Sequence, residues 1–372
     1  MKFSCLQENL SKGLQVVSKA VPTKGPLPIL SNILISAEQG RLKLVATDLE
    51  TTIITYVNAS VDEEGSVTVP ARILKEFVTN LSPSTIEAKL DRDILHLTSQ
   101  KTKSKFNGTS SADFPELPTI DTSVDAIEVD AKEFARAVAV VAFASATDES
   151  KPVFTGIFLS FADNILTIAS TDGFRLSEKA LILKTVSKEF TTIIPAKTLS
   201  EVTKIFSNAT EPLKIIISED ANTAVFQADD TTIYTRILDG QYPDYKRIIP
   251  ANATLKAQFN EEEFSEAVKL TNIFLKEGDN NTLKIRFDPK GVIRVASLAD
   301  EQGSHESELA AEIEGEMLEV AFSAKYLLDF LNNVKCPILV FETSGNKSAC
   351  LLRPQNQVEH EGFLHIIMPI QI

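Results

Sequence analysis

Two hydrophobic rhythms alternate along the chain, and both recur three times. The helical rhythm follows three short apolar strands. Val67-Thr68-Val69-Pro70-Ala71-Arg72 leads into Leu74, Phe77, Val78 and Leu81, and Ile193-Ile194-Pro195-Ala196-Lys197 into Leu199, Val202 and Phe206. Val320-Ala321-Phe322-Ser323-Ala324-Lys325 leads into Leu327, Phe330, Leu331 and Val334. Apolar residues three and four apart share one helical face, so helices are predicted over 70–81, 195–207 and 323–335. The basic residues Arg72, Lys197 and Lys325 are 125 and 128 positions apart, close to 124, one third of 372. A second set of helices opens each third, over 4–25, 130–145 and 260–276, with Asp130 and Asn260 as N-caps.

The alternating rhythm follows each opening helix as a strand pair. Ile33-Leu34-Ile35 faces Leu42-Lys43-Leu44-Val45, Ile157-Phe158-Leu159 faces Ile165-Leu166-Thr167-Ile168, and Leu283 to Phe287 faces Val292 to Val295. Two of these pairs end in the same turn, Ala46-Thr47-Asp48 and Ser170-Thr171-Asp172. Asp113-Phe114-Pro115-Glu116 and Gln241-Tyr242-Pro243-Asp244 close two of the thirds alike. A period near 125 is too long for a solenoid. The reading is three tandem α+β domains, residues 1–122, 123–252 and 253–372, each with two helices packed on mainly antiparallel sheet.

Composition narrows the class. An apolar fraction of 43% with 24% charged residues suits a globular chain, and no apolar run reaches the length of a membrane span. The start, Met1 to Glu8, has no apolar core of a secretory signal. Cys5, Cys336 and Cys350 make no disulfide framework. The expectation is a cytoplasmic protein without a membrane partner. Net charge is −14, which argues against gripping nucleic acid on an open basic surface. The six helical windows nevertheless sum to +3, leaving −17 on the rest. That predicts an electropositive helical face on an acidic body.

Catalytic constellations are missing from the sequence. His96 sits in an alternating strand, and His305, His360 and His365 lack the spacing of a metal site. No phosphate-binding glycine loop, nucleophile elbow or zinc-protease motif occurs. Asp48 and Glu50, with Asp172, are the best candidates for a metal-dependent enzyme, but Asp172 recurs without the second acid. A non-enzymatic protein without cofactor or metal is the leading expectation. Lys101, Lys103 and Lys105 alternate on one face of a strand with Phe106 on the other. Such a strand suits a protected edge, or one that pairs with an acidic edge supplied by Asp300, Glu301, Glu306 and Glu308.

The whole chain resembles the bacterial DNA polymerase III β subunit family, the processivity sliding clamps. The resemblance rests on Met1-Lys2-Phe3, Leu27-Pro28-Ile29-Leu30, Ala46-Thr47-Asp48-Leu49-Glu50, Val69-Pro70-Ala71-Arg72 and Ala112-Asp113-Phe114-Pro115. It continues through Ser170-Thr171-Asp172-Gly173-Phe174-Arg175-Leu176, Tyr242-Pro243-Asp244-Tyr245 and Met368-Pro369. It implies three clamp domains per chain, a head-to-tail homodimer closing a ring, and double-stranded DNA passing through it without sequence preference. Lys24, Arg72, Lys75, Lys151, Lys197, Lys204 and Lys325 are then expected on the inner surface.

The resemblance also implies a pocket for linear peptides in the second and third domains. Its residues would be Phe154, Thr171, Gly173, Phe174, Arg175 and Leu176, then Pro243, Arg247 and Ile248. From the C-terminal third come Asn346, Ser348, Ile366, Met368, Pro369, Ile370 and Ile372. Implied partners are the clamp loader, the polymerase III catalytic subunit, translesion polymerases, mismatch-repair proteins and other carriers of a clamp-binding motif. Phe174 stands where the family usually has His or a similar polar residue, and Gln371-Ile372 where it has Arg-Leu. The ring interface would use Lys101, Lys103, Lys105, Phe106, Leu270, Thr271, Asp300 and Glu301. Gly108, where relatives often carry a larger apolar residue, implies a looser ring. A protein-only scaffold with no DNA in the hole is the remaining alternative.

Overall fold

The computed structural model describes residues 1–120, 126–148, 150–184, 189–218, 221–250, 252–275, 281–297, 303–355 and 361–371. Asp300, Glu301, His360 and Ile372 lie outside the described residues. Six α-helices occur among them: α1 (Gln7–Val17), α2 (Ala71–Asn80), α3 (Ala131–Ala142), α4 (Ala196–Phe206), α5 (Glu261–Ile273) and α6 (Ala324–Asn333). The repeated segments map onto the same element three times. A strand ends at Pro70, Pro195 or Ser323, and α2, α4 and α6 begin at the next residue, an alanine, with Arg72, Lys197 or Lys325 second. Both expected caps form. The Asn260 side chain accepts from the Glu263 N–H at 3.0 Å, and Asp130 Oδ1 from the Lys132 N–H at 3.0 Å.

The first helix is shorter than its pattern. Residues Lys2–Leu6 form a strand, paired with Thr85–Asp91 on one side and Ser60–Glu63 on the other. Apolar residues at positions 6, 10, 14 and 17 fit a helical stripe, but Phe3 and Cys5 alternate into the core as a strand does. Lys24 therefore sits in an exposed loop, not on a helix. This also corrects the charge reading. Within their observed bounds α2, α3 and α4 each carry +1, α5 carries −3, and α1 and α6 are neutral, so the helices sum to zero. The excess cations Lys19, Lys24 and Lys335 belong to flanking segments.

The chain forms two compact units, residues 1–132 with 201–237 and residues 133–200 with 238–372. Every strand pairing among the described residues is antiparallel. The first unit holds a five-stranded sheet and an eight-stranded sheet. The larger sheet continues from the first third of the sequence into the second, where Thr51–Asn58 pairs with Thr231–Arg236 (Ile53 opposite Ile233). Helices α1 and α2 pack on each other, and α1 lies on Arg41–Thr47 and Thr51–Asn58. Leu10, Leu14, Val17, Leu74 and Val78 are buried there. Gly13 lets α1 sit this close, since a Cβ would lie 2.6 Å from Val57 Cγ2 and 2.9 Å from Leu44 Cδ1.

The second unit is built on a twelve-stranded sheet. Its middle repeats the junction just described, with Arg175–Ile182 beside Phe363–Ile367 (Leu176 opposite Ile366). The three strand pairs read from sequence all form. Helices α5 and α6 pack together, with Phe264, Val268, Leu327, Phe330 and Leu331 buried.

The repeat extends to side chains. Leu34 and Val45 pack with Phe114 in one cluster, and Phe158 and Ala169, each 124 positions later, pack with Tyr242 in another. The shared Thr-Asp turn is built alike both times. Thr47 Oγ1 accepts from the Leu49 N–H, while Asp48 Oδ1 accepts from Glu50 and Thr51. Thr171 and Asp172 serve Gly173, Phe174 and Arg175 in the same way. Leu49 and Gly173 both have positive φ. The Asp48 and Asp172 carboxylates are thus engaged by backbone, which accounts for Asp in this turn without a metal.

Gly108 is not a gap. A Cβ there would lie 2.6 Å from the Thr68 carbonyl oxygen and 2.8 Å from that of Asp93, both backbone atoms. Gly108→Leu is expected to lower stability by about 1–3 kcal/mol, the usual cost of overpacking. An unchanged urea midpoint would refute that close approach.

Candidate functional site

The turn Thr171–Arg175 organises the site in the second unit. Its strand continues through Leu176, and the neighbouring strand Phe363–Ile367 runs on into the C-terminal segment. Two backbone bonds fix that segment: the Met368 N–H donates to the Phe174 carbonyl at 2.9 Å, and the Ile370 N–H to that of Ala321 at 2.8 Å. A cavity of about 620 Å³ opens between the turn, the segment and the start of α6. One wall is Phe174 and Tyr326, whose rings stack with centroids 6.4 Å apart. Met368, Pro369 and Ile370 form a second wall, and Asn281, Ser323 and Lys325 supply polar groups. Phe174 is 61% exposed, an unusual position for a large aromatic side chain unless something covers it.

Arg175 holds this arrangement from beneath. Its side chain is 6% exposed. Nε donates to Asp172 Oδ2 at 3.0 Å and an Nη to Asp329 Oδ2 at 2.7 Å. Its guanidinium carbon lies 4.5 Å from the Tyr326 ring centroid and 5.8 Å from that of Phe143. One cation thereby ties the turn to α6 and orients the aromatic wall. His365, on the strand opposite, is fully buried between Phe143 and Phe330, with Nδ1 2.8 Å from the Ser177 hydroxyl. Burial, with the nearby Arg175 charge, pushes its pKa down to about 3.

The expected pocket residues separate into four groups. Phe174, Met368, Pro369 and Ile370 line the cavity. Thr171, Arg175, Leu176 and Ile366 are buried beneath the surface, Leu176 and Ile366 in the cluster with Tyr242 and Tyr245. Phe154 flanks the turn, 3.7 Å from a Cβ built at Gly173, and Pro243, Arg247 and Ile248 are exposed on the following segment. Arg247 pairs with Asp244 at 2.7 Å. Asn346 and Ser348 lie on the turn between Ile338–Thr343 and Cys350–Pro354, and do not line the cavity. Sequence reasoning missed Asn281, Ser323 and Tyr326. Tyr326 carried a signal: the repeat puts Ile73 and Thr198 at its position, so only the third copy has an aromatic there.

The cations expected on one surface are more varied. Lys24 and Lys197 are exposed and Lys75 is half-buried, with no ion pair among the described residues. Lys151 lies 5.5 Å from the Phe154 ring centroid. Arg72 pairs with Glu76 at 3.1 Å and Lys204 with Glu201 at 2.9 Å, both within their own helices. Lys325 lines the cavity beside Phe174.

At the strand edges, Thr102–Asn107 pairs among the described residues only with Ile94–Ser99, Lys103 and Lys105 are exposed, and Phe106 is buried against Phe77. Lys101 is exposed in the preceding turn. Leu270 is exposed on α5. Thr271 is fully buried and its hydroxyl donates to the Ala267 carbonyl at 2.7 Å, so its side chain is spent inside the unit. The next exposed apolar residue of α5 is Ile273.

Burial pushes the Cys5 and Cys336 thiols up to about 12 and that of Cys350 to about 11, away from the reactive thiolate. No cluster of three metal-ligating side chains occurs among the described residues, and no helix there is long and apolar enough to cross a membrane.

Repeated α+β elements whose sheets continue from one third of the sequence into the next, with a cavity beside the second of these junctions, define a protein of tandem clamp domains. Sequence profiles of the DNA polymerase III beta subunit match in order: the N-terminal domain over residues 1–118, the central domain over 128–244 and the C-terminal domain over 246–371. The beta sliding clamp of Synechococcus elongatus is 31% identical over 379 residues, covering 100% of both chains. That of Bacillus subtilis is 28% identical over 382 residues, again covering 100% of both. Among solved structures, the Bacillus subtilis DNA polymerase sliding clamp superimposes with a TM-score of 0.94 at 27% identity, covering 100% of this chain and 99% of that one. The Thermotoga maritima DNA polymerase III beta subunit gives 0.92 at 27%, with the same coverage. The chain belongs to the DNA polymerase III beta subunit family. It is a DNA sliding clamp, a non-catalytic processivity factor that works with DNA and the polymerase.

Proposed function

We propose that two copies close head to tail into a ring around duplex DNA, and that the cavity beside Phe174 docks linear segments of partner proteins. The observation that carries the ring is a junction made twice and left open once. Residues 51–55 of the first third pair with 231–235 of the second, and 175–179 of the second with 363–367 of the third. The same rule applied once more joins the third to the first of another copy. Among the described residues the two edges it needs are open: Thr102–Asn107 has one neighbour strand, and Glu306–Ala310 pairs only with Val292–Ala296. Their charges are complementary, with Lys101, Lys103 and Lys105 against Glu306 and Glu308. Leu270 and Ile273 supply exposed apolar surface on α5, while Phe106 is buried behind the lysine strand and Asp300 and Glu301 belong to the same acidic stretch of sequence.

Six domains, 1–122, 123–252 and 253–372 of each copy, then enclose the hole. Twelve helix axes about 10 Å apart make a circle about 38 Å across, and removing about 5 Å of helix on each side leaves room for a duplex roughly 20 Å wide. Lys24, Lys75, Lys151 and Lys197 would meet phosphates. Arg72 and Lys204 would exchange weak exposed pairs for the same contact, which positions DNA without reading sequence. Enclosure lets a chain of charge −14 hold DNA with few cations. Partners of the cavity would be the clamp loader, the polymerase III catalytic subunit, translesion polymerases and mismatch-repair proteins, met in the cytoplasm.

The test is retention on DNA. After loading, the dimer is expected to stay on nicked circles and to be lost when they are linearised. Equal loss from circles and linear DNA would overturn the ring and leave a protein scaffold or an open DNA binder. Glutamate at Lys101, Lys103 and Lys105 together is expected to raise the dimer dissociation constant at least about 10-fold, most at low salt. Sedimentation equilibrium showing no change would remove that edge from the interface.

A further inference from the structure

We propose that Lys325 makes the cavity beside α6 selective for partner segments that place a carboxylate next to an apolar anchor; this rests on the docking reading above. The family resemblance grouped Lys325 with the DNA-facing cations, and it occupies the helix position of Arg72 and Lys197. Its surroundings differ from theirs. Lys325 lines a cavity of about 620 Å³ together with Phe174, Tyr326, Met368 and Ile370. It is exposed and has no ion pair among the described residues.

Asp172 and Asp329 both bond Arg175, at 3.0 and 2.7 Å, and neither forms an ion pair with Lys325. The first turn of α6 contains no acidic residue, and Ser323, its N-cap, makes no side-chain capping bond. The positive end of the α6 dipole therefore adds to the ammonium instead of being offset. The Asn281 side-chain oxygen is buried without a partner among the described residues, so the polar rim on that side is not preloaded with internal bonds.

The remaining walls are apolar: the Phe174–Tyr326 stack and Met368, Pro369 and Ile370, with Met able to adapt to varied side chains. A segment that fits this cavity carries an aliphatic or aromatic side chain for the walls and an Asp or Glu within reach of Lys325. On a chain of net charge −14, most surface repels acidic peptides. A local cation in the docking cavity then gives discrimination as well as attraction.

The test uses the full-length protein and a displayed library of random heptapeptides, counter-selected on protein lacking Met368–Ile372. Enriched peptides are resynthesised with a fluorescent label, alongside copies in which each Asp or Glu becomes Asn or Gln. Wild-type protein is expected to prefer the carboxylate form by about 3- to 10-fold at low salt, the ratio falling toward one at 0.5 M salt. Lys325→Gln removes the preference and Lys325→Glu reverses it. Acidic peptides enriched equally on Lys325→Glu overturn the role of Lys325 while leaving the docking site intact. No enrichment over the counter-selection overturns the docking reading itself. If Lys325→Glu instead weakens retention on circular DNA with peptide preference unchanged, Lys325 is a DNA contact and the proposal falls.

Discussion

Replacing Arg175 by alanine is expected to destabilise the unit of residues 133–200 and 238–372 by about 3–5 kcal/mol, the usual cost of breaking a buried ion pair. Arg175 bridges Asp172, whose side chain is 12% exposed, and Asp329, at 34%. Asp329 can regain water. Asp172 cannot do so fully, and it would keep only the backbone donors of Phe174 and Arg175. The change also removes the cation from the face of Tyr326 and opens a void beneath the aromatic wall. Arg175→Lys should recover part of the loss, because an ammonium can reach one carboxylate but cannot span both as a guanidinium fork does. Urea denaturation reads the unfolding energy, and peptide affinity reads the wall. A loss below about 0.5 kcal/mol, or peptide affinity unchanged, would show that Arg175 does not brace the site.

Mild acid is expected to weaken the same unit through His365. Its folded pKa lies near 3, below the ordinary value of 6.5, because the charged form is buried and faces Arg175. Above pH 6.5 both states are neutral and His365 adds no pH dependence. As pH falls below 6.5 the unfolded chain takes up a proton that the folded chain refuses until about pH 3. Stability therefore falls across that window at up to about 1.4 kcal/mol per pH unit, roughly 2.5 kcal/mol by pH 4.5. His365→Phe keeps a ring between Phe143 and Phe330 and cannot titrate. Its stability should fall less than that of the wild type between pH 7.5 and 4.5, by about that amount. An identical fall in both proteins would assign the acid sensitivity to carboxylates elsewhere.

The sites differ in how far sequence reveals them. The Thr-Asp turn was legible because its side chains bond backbone groups two and three residues on, a local rule. Met368 and Pro369 were legible because they belong to the motifs that carry the family resemblance. That Lys325 lines a cavity was not legible, because its repeat position says which helix turn it occupies, not what packs beside that turn. Leu176 and Phe174 share a motif, yet Leu176 is 1% exposed and Phe174 61%; Phe174 stands in the turn before the strand begins at Arg175, where the two-residue strand period gives no guide to burial. The helical charge excess vanished for a similar reason. Windows drawn on apolar periodicity ran past the true helix ends, and took in Lys19, Lys24 and Lys335.

By itself the sequence determined the threefold repeat, the strand–helix order within each copy and the α+β class. These follow from apolar periodicity and capping, which act within a few residues along the chain. Tertiary structure alone decided that the central third contributes to two compact units, that Arg175 ties a turn to a helix 154 residues away, and that Lys325 faces a cavity. Those outcomes depend on edge pairing and side-chain burial between distant segments. No local pattern encodes them, because their energy exists only once the partners have been brought together.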